Sequence, residues 1–375
     1  MVTSTRHWLN DRPRLGDIMA PQANSFGVLR LVMASLVLIS HSFLYTSGTD
    51  EADLFLPWTR HSLGEHAVQG FFILSGILVA QSFERSRSLL DFVTARALRI
   101  FPALLVCVLL TALVLGPAVT RLPLLDYVTS AKLPAYLIKT LSLSTGLAPL
   151  PGVFETLPLA NAINSSLWTL KYEVLCYAGL AVAGFAGVFK TQWRSVAPAM
   201  LLVFLVVVFC GDPEPAETYT FSDNARYFAL YFGTGVLIYL IRNELVITGA
   251  AFLPLIAFFA IALGSRLSEF ATAMLVGYAI VWAANFRFGP LRALCNRLDL
   301  SFGVYIYAGP IQQALVGFCP GIHPAGIALL AAILVMPLAL LSWVFIEHPA
   351  LNLRSRLRRH RSAGVPHRRI AAVLA

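Results

Sequence analysis

Ionisable residues are few inside the apolar stretches of this chain, and their types and spacing suit definite chemistry. Arg30 and His41 share one apolar segment, eleven residues apart. At about 3.6 residues per turn that is close to three full turns, so both side chains lie on one helix face, roughly 16 Å apart along the axis. Glu173 lies near the start of another such segment, about six residues or roughly 9 Å from its outer end. Because that segment runs the opposite way, His41 and Glu173 reach similar depths. A histidine and a carboxylate so matched suit proton handling, or else fix helix packing as a hydrogen-bonded pair. In Ala95-Arg96-Ala97-Leu98-Arg99-Ile100-Phe101-Pro102 the two arginines share a face where a third segment begins. With Arg30 they form a cationic mouth suited to phosphate groups. Flanking topology charge is the other reading, and it fits Arg85 and Arg87 better than Arg99. Ser75, Asn164, Ser165, Trp168 and Tyr172 are polar groups able to face a developing oxyanion or an acceptor.

These residues need a scaffold that carries charge through an apolar medium. The 375 residues are 58% hydrophobic and 13% charged, with a mean hydropathy of +0.73. Such a balance excludes a cytosolic enzyme, a disordered chain and a small disulfide scaffold. Apolar runs of bilayer-crossing length predict an all-α, polytopic membrane protein. Ten spans are expected, at about 26–46, 66–83, 99–118, 167–188, 196–211, 225–241, 246–264, 270–286, 300–318 and 324–346. Residues 1–25 then form an N-terminal segment, 26–348 the membrane domain and 349–375 a basic tail. Of the 28 Lys and Arg, 20 fall on the side of both termini and 6 on the other, with Arg30 and Lys171 inside spans. That asymmetry places both termini in the cytoplasm. It also accounts for most of the net charge of +9 without a nucleic-acid partner. The first span lacks a small-residue cleavage site and reads as a retained anchor rather than a removed signal peptide.

Two stretches interrupt the spans. Residues 119–166 form a long, proline-punctuated external connection, whose apolar part 133–145 is too short to cross and reads as interfacial or re-entrant. The tail packs seven Arg and two His into residues 354–369, as a solvated topology signal or a phospholipid patch. Gly70-Phe71-Phe72-Ile73-Leu74-Ser75-Gly76 carries glycines that allow close backbone approach. The five cysteines are scattered, and no metal-ligand spacing, serine-hydrolase elbow, P-loop or dinucleotide fingerprint occurs.

Taken in order, five landmarks make the chain similar to the acyltransferase-3 family of integral membrane acyltransferases. Arg30 and His41 resemble its Arg/Lys-x10-His motif. The 70–76 stretch resembles GFFxLSG, and Arg96-x-x-Arg99 resembles RxxR. The run Trp168-Thr169-Leu170-Lys171-Tyr172-Glu173 resembles WSLxxE, and Ser301-Phe302-Gly303-Val304-Tyr305-Ile306-Tyr307 resembles SYxxYL. The likeness runs from about 24 to 350 and resembles the stand-alone form of the family. It implies transfer of an acyl group, usually acetyl, from cytoplasmic acyl-CoA to a hydroxyl of an extracytoplasmic glycan or lipid-linked sugar. By that likeness His41 is the base, Glu173 supports it, and Arg30, Arg96 and Arg99 hold the donor's phosphates; acetyl-CoA is then a substrate, with no resident cofactor. One departure is Ala308, where many relatives have a histidine whose role would fall to a neighbour such as Gln312. A proton-coupled transporter or flippase of glycan or lipid is the alternative, and a silent scaffold the third reading.

Overall fold

The computed structural model describes residues 12–354, apart from 21, 54, 60, 194 and 211–219. Among the described residues the regular elements are helical, with an isolated bridge between Arg14 and Val246. In chain order the main helices are α1 (Phe26–Ser47), α2 (Leu63–Glu84) and α3 (Leu89–Leu110). The short α4 (Leu124–Thr129) and α5 (Lys132–Leu141) follow, then α6 (Leu170–Phe185), α7 (Ala197–Cys210) and α8 (Phe221–Leu240). The last five are α9 (Phe252–Ala262), α10 (Ser268–Ala284), α11 (Gly289–Arg297), α12 (Ser301–Phe318) and α13 (Pro324–Ser342).

Each expected span falls on a helix, but helix length separates them. Among the described residues four helices are long and apolar enough to cross a bilayer alone: Phe26–Ser47, Leu63–Glu84, Leu89–Val119 and Pro324–Arg354. The pair α10 and α11, bent by 103°, makes a fifth if counted as one broken span. Exposed Val182, Phe185 and Ile261 on α6 and α9 form the kind of apolar surface that a bilayer covers. The protein is a membrane protein.

Local chemistry sets the boundaries. Ser62 opens α2 with a capping box to Glu65, and Ser88 opens α3 by accepting the Asp91 N–H. That cap starts α3 ten residues before the expected 99–118 span. Arg96 and Arg99 therefore sit well inside the helix rather than at its start. α1 ends where Gly48, at φ +82°, closes on Leu44. π-turns at Thr111–Leu115 and Trp343–Glu347 interrupt the two longest helices. The expected interfacial stretch is α5, ten residues long, with Leu133, Tyr136 and Thr140 buried and Ile138 turned outward.

The packing centre is α2, which crosses α8 at two glycines. A Cβ on Gly76 would collide with the Phe232 carbonyl, and one on Gly235 with the Ile73 carbonyl, so this crossing requires both. α12 packs against α1 and α13. The N-terminal segment is docked as well: Leu15 is fully buried, and the N–H groups of Leu15 and Gly16 donate to Leu245 and Arg242. Of the basic tail, Arg354 pairs with Asp91 at 3.1 Å, and the rest lies outside the described residues.

Away from these contacts, His61 ties α2 to α10. Its Nε2 lies 2.8 Å from Glu269, whose other oxygen accepts from Tyr231 at 2.7 Å, and its Nδ1 lies 3.6 Å from Glu65. Burial alone would lower the His61 pKa, but the two glutamates outweigh it and push it up to about 10. A raised histidine contributes fully below its unfolded value near 6.5 and loses that contribution as pH rises through the folded value. Thermal unfolding of detergent-solubilised protein is therefore expected to show a midpoint that declines between pH 7 and 10, with a shallower decline in His61→Gln. Parallel curves for the two proteins would refute the assignment.

Candidate active site

Five helices enclose a pocket with about 850 Å³ of empty space. α1 contributes Arg30, α2 contributes Phe71, Phe72 and Ser75, and α3 contributes Arg96 and Arg99. α6 adds Glu173 and Tyr177, α12 adds Ser301 and Tyr305, and Thr169 comes from the 3-10 turn Ser165–Thr169 before α6. One end is aromatic and aliphatic and the other is cationic.

At the cationic end, Arg99 and Arg30 are already paired. Arg99 donates to Asp299 at 2.7 Å and to Glu347 at 3.3 Å, and Arg30 reaches the same Asp299 oxygen at 3.2 Å. Ser301 donates to the other Asp299 oxygen at 2.6 Å, and Ser342 to Glu347 at 3.0 Å. Asp299 stands in the connection between α11 and α12. Burial alone would raise its pKa, but the two guanidiniums and Ser301 outweigh that and hold it at about 2. The carboxylates thus offset much of the charge on Arg30 and Arg99. Arg96 differs. Its Nη2 donates to Ser82 at 3.2 Å, its guanidinium lies 5.8 Å from the Tyr177 ring centre, and its Nε is buried without a partner. Among the described residues it forms no ion pair, which leaves it the cation best free to take an anion. Arg30 also keeps a buried Nε without a partner.

Glu173 faces this pocket. Its carboxylate accepts from the Tyr177 hydroxyl, which in turn lies 3.3 Å from Ser75 Oγ. His41 does not line the pocket. Its Nδ1 lies 3.3 Å from Ser166 Oγ and its ring meets Tyr45 edge-on, with centroids 5.7 Å apart. The direct His41–Glu173 contact suggested by their depths does not form: His41 meets Ser166 of the turn before α6, and Glu173 meets Tyr177 one turn on along α6. The carboxylate on His41's side is Asp53, buried and holding the neighbouring Ser40 at 2.6 Å.

The other sequence candidates divide between the two clusters. Ser75 is on the pocket wall. Asn164 braces the turn: its Nδ2 donates to the Ile306 carbonyl at 2.7 Å and its Oδ1 accepts the Ser166 N–H at 3.2 Å. The Ser165 N–H donates to Tyr45 at 2.9 Å. Trp168 and Tyr172 pack around Phe228, off the pocket wall. Ala308 is buried, and a Cβ on the next residue, Gly309, would fall 2.7 Å from Asn164 Oδ1 and 2.8 Å from the Tyr45 hydroxyl. Gln312 is committed to α1, donating to the Leu38 carbonyl and to Ser42 Oγ at 2.6 Å each. Sequence reading missed Asp299, Glu347, Tyr177 and Ser166. Only Glu347 and Asp299 left a signal, as acids beside apolar helices.

Comparison with known proteins identifies the family. A family model described as an acyltransferase domain, Acyl_transf_3, matches residues 24–347. The chain is 32% identical over 345 residues to the "O-acetyl transferase" of Shigella phage Sf6, covering 89% of this chain and 98% of that one. It is 28% identical over 371 residues to "Nodulation protein 10" of Rhizobium leguminosarum bv. viciae, covering 89% and 95%. No solved structure matches it. The family match over most of the chain favours transfer chemistry over the transporter alternative, and the chain belongs to the acyltransferase-3 family as a membrane O-acyltransferase.

Proposed function

We propose that this O-acyltransferase takes an acetyl group from cytoplasmic acetyl-CoA and delivers it to a hydroxyl of an extracytoplasmic glycan or lipid-linked sugar. The observation that carries the reading is a cationic pocket whose Arg96 has no ion pair among the described residues, walled by residues that also bond the turn holding His41. Ten crossings with both termini cytoplasmic, in a bacterial inner membrane, fit the Lys/Arg asymmetry and put the arginine end on the donor's side.

In this reading Arg96 takes a donor phosphate directly. Arg30 and Arg99 add a positive field that Asp299 and Glu347 moderate, so the pocket is not overcharged when empty. The apolar end receives the acyl arm. His41 Nε2 accepts the sugar hydroxyl's proton as its oxygen attacks the thioester carbonyl, and the C–S bond breaks to release the thiolate. Ser75 donates to the developing oxyanion. Glu173, through Tyr177, buffers charge on the pocket side rather than touching the imidazole.

The test supplies radiolabelled acetyl-CoA to inverted membrane vesicles and recovers label from the extracted surface glycan. Label in wild type and none in a deletion strain supports the reading; label in neither sinks it. Mass spectrometry of the glycan then identifies the acyl group and its position. Arg96→Ala is expected to raise the donor KM roughly 10- to 100-fold, the worth of a hydrogen bond to a charged group. Because no carboxylate depends on Arg96, thermal stability should hold. An unchanged KM would remove Arg96 from the donor site.

A further inference from the structure

We propose that Ser166 is the positioning residue that fixes the working tautomer of His41, an inference that rests on His41 acting as the base. Ser166 is 1% exposed, and its backbone is pinned at both polar groups. Its N–H donates to Asn164 Oδ1 at 3.2 Å, and its carbonyl accepts from the Tyr305 hydroxyl at 2.8 Å. The Thr169 hydroxyl bonds the same Tyr305 at 2.6 Å and reaches the same carbonyl at 3.4 Å. A turn held this way leaves its side chain little freedom, and among the described residues the one polar partner of Ser166 Oγ is His41 Nδ1, at 3.3 Å. Nε2 of the ring has no hydrogen-bond partner among the described residues.

A neutral imidazole carries one N–H, and the nitrogen that bears it cannot accept a proton. With Nδ1–H donating to Ser166 Oγ, the lone pair lies on the free nitrogen, Nε2. When Nε2 takes the hydroxyl proton, the Nδ1–H bond to Ser166 becomes charge-assisted and strengthens without any rearrangement. The reverse arrangement, with the serine hydroxyl donating to Nδ1, puts the proton on Nε2 and blocks the base. Serine thus fills the orienting place that a carboxylate holds in many catalytic triads, at neutral charge. Two of its supports, Thr169 and Tyr305, also line the donor pocket, so the side chains that wall the donor hold the acceptor-side base in register.

The experiment compares wild type, Ser166→Ala, Ser166→Thr and His41→Ala in the radiolabelled acetyl-CoA vesicle assay. It adds nitrogen NMR of isotope-labelled histidine in purified protein, with His41→Gln identifying the signal. Ser166→Ala is expected to lower kcat roughly 10- to 100-fold with donor KM unchanged, the worth of one charged hydrogen bond, and Ser166→Thr to recover most of it. Wild-type His41 should show the Nδ1–H tautomer, and Ser166→Ala should lose that preference. An Nε2–H tautomer in wild type, which needs no variant to fold, overturns the proposal. So does a Ser166→Ala enzyme with normal kcat while His41→Ala is inactive. A fully active His41→Ala instead overturns the reading of His41 as base.

Discussion

His41→Ala is expected to reduce acyl transfer roughly 100- to 10,000-fold, the usual contribution of a positioned general base. Donor binding should survive, because His41 lies outside the pocket that carries the arginines. Folding should survive as well: the ring is half-buried, and its one hydrogen bond among the described residues, to Ser166, is an ordinary neutral one. The measurement is label transfer from acetyl-CoA in vesicles, set beside acetyl-CoA binding to the purified variant. Loss of transfer with binding intact places His41 in the chemical step. Loss of both would mean that the two clusters are one structural unit and would sink the division of labour proposed here.

Arg99→Met is expected to damage the fold before it damages chemistry. Removing this guanidinium leaves Glu347, 2% exposed, with Ser342 among the described residues, and leaves Asp299 with Arg30 and Ser301. Breaking a buried pair by deleting one partner costs about 3–5 kcal/mol, much of it the desolvation of the charge left behind. The unfolding midpoint in detergent should fall sharply. Adding Glu347→Leu removes the orphaned carboxylate and should restore most of the stability, since an apolar replacement of a buried pair is often neutral. In that double variant the donor KM should rise less than in Arg96→Ala, because Arg99's charge is already shared between two carboxylates. A double variant as unstable as Arg99→Met, or a larger KM effect than Arg96→Ala shows, would reverse these roles.

The two predictions separate arginines that the sequence makes look alike. Arg96 and Arg99 occupy one face of one helix three residues apart, and nothing local distinguishes them. What distinguishes them arrives from far along the chain: Asp299 and Glu347, 200 and 248 residues from Arg99. The π-turn at Trp343–Glu347 contains one of these carboxylates, a local irregularity that hydropathy does not register.

By itself the sequence determined the medium and the periodicity. Apolar composition forces backbone groups to satisfy themselves in helices, and the helical repeat places Arg30 and His41 on one face of α1. The glycines of the 70–76 stretch were legible as close-approach positions, since only small residues let helices meet backbone to backbone. Which helices are long enough to cross alone, and where α3 starts, depended on caps such as Ser88 that a hydropathy window blurs. The partners of the site were decided by tertiary structure alone. His41 and Glu173 have matching depths, yet depth fixes one coordinate and leaves rotation about each axis free. The turn of Ser165–Thr169, braced by Tyr305 and Asn164, sets that rotation, turning His41 to Ser166 and leaving Glu173 with Tyr177 on the pocket wall.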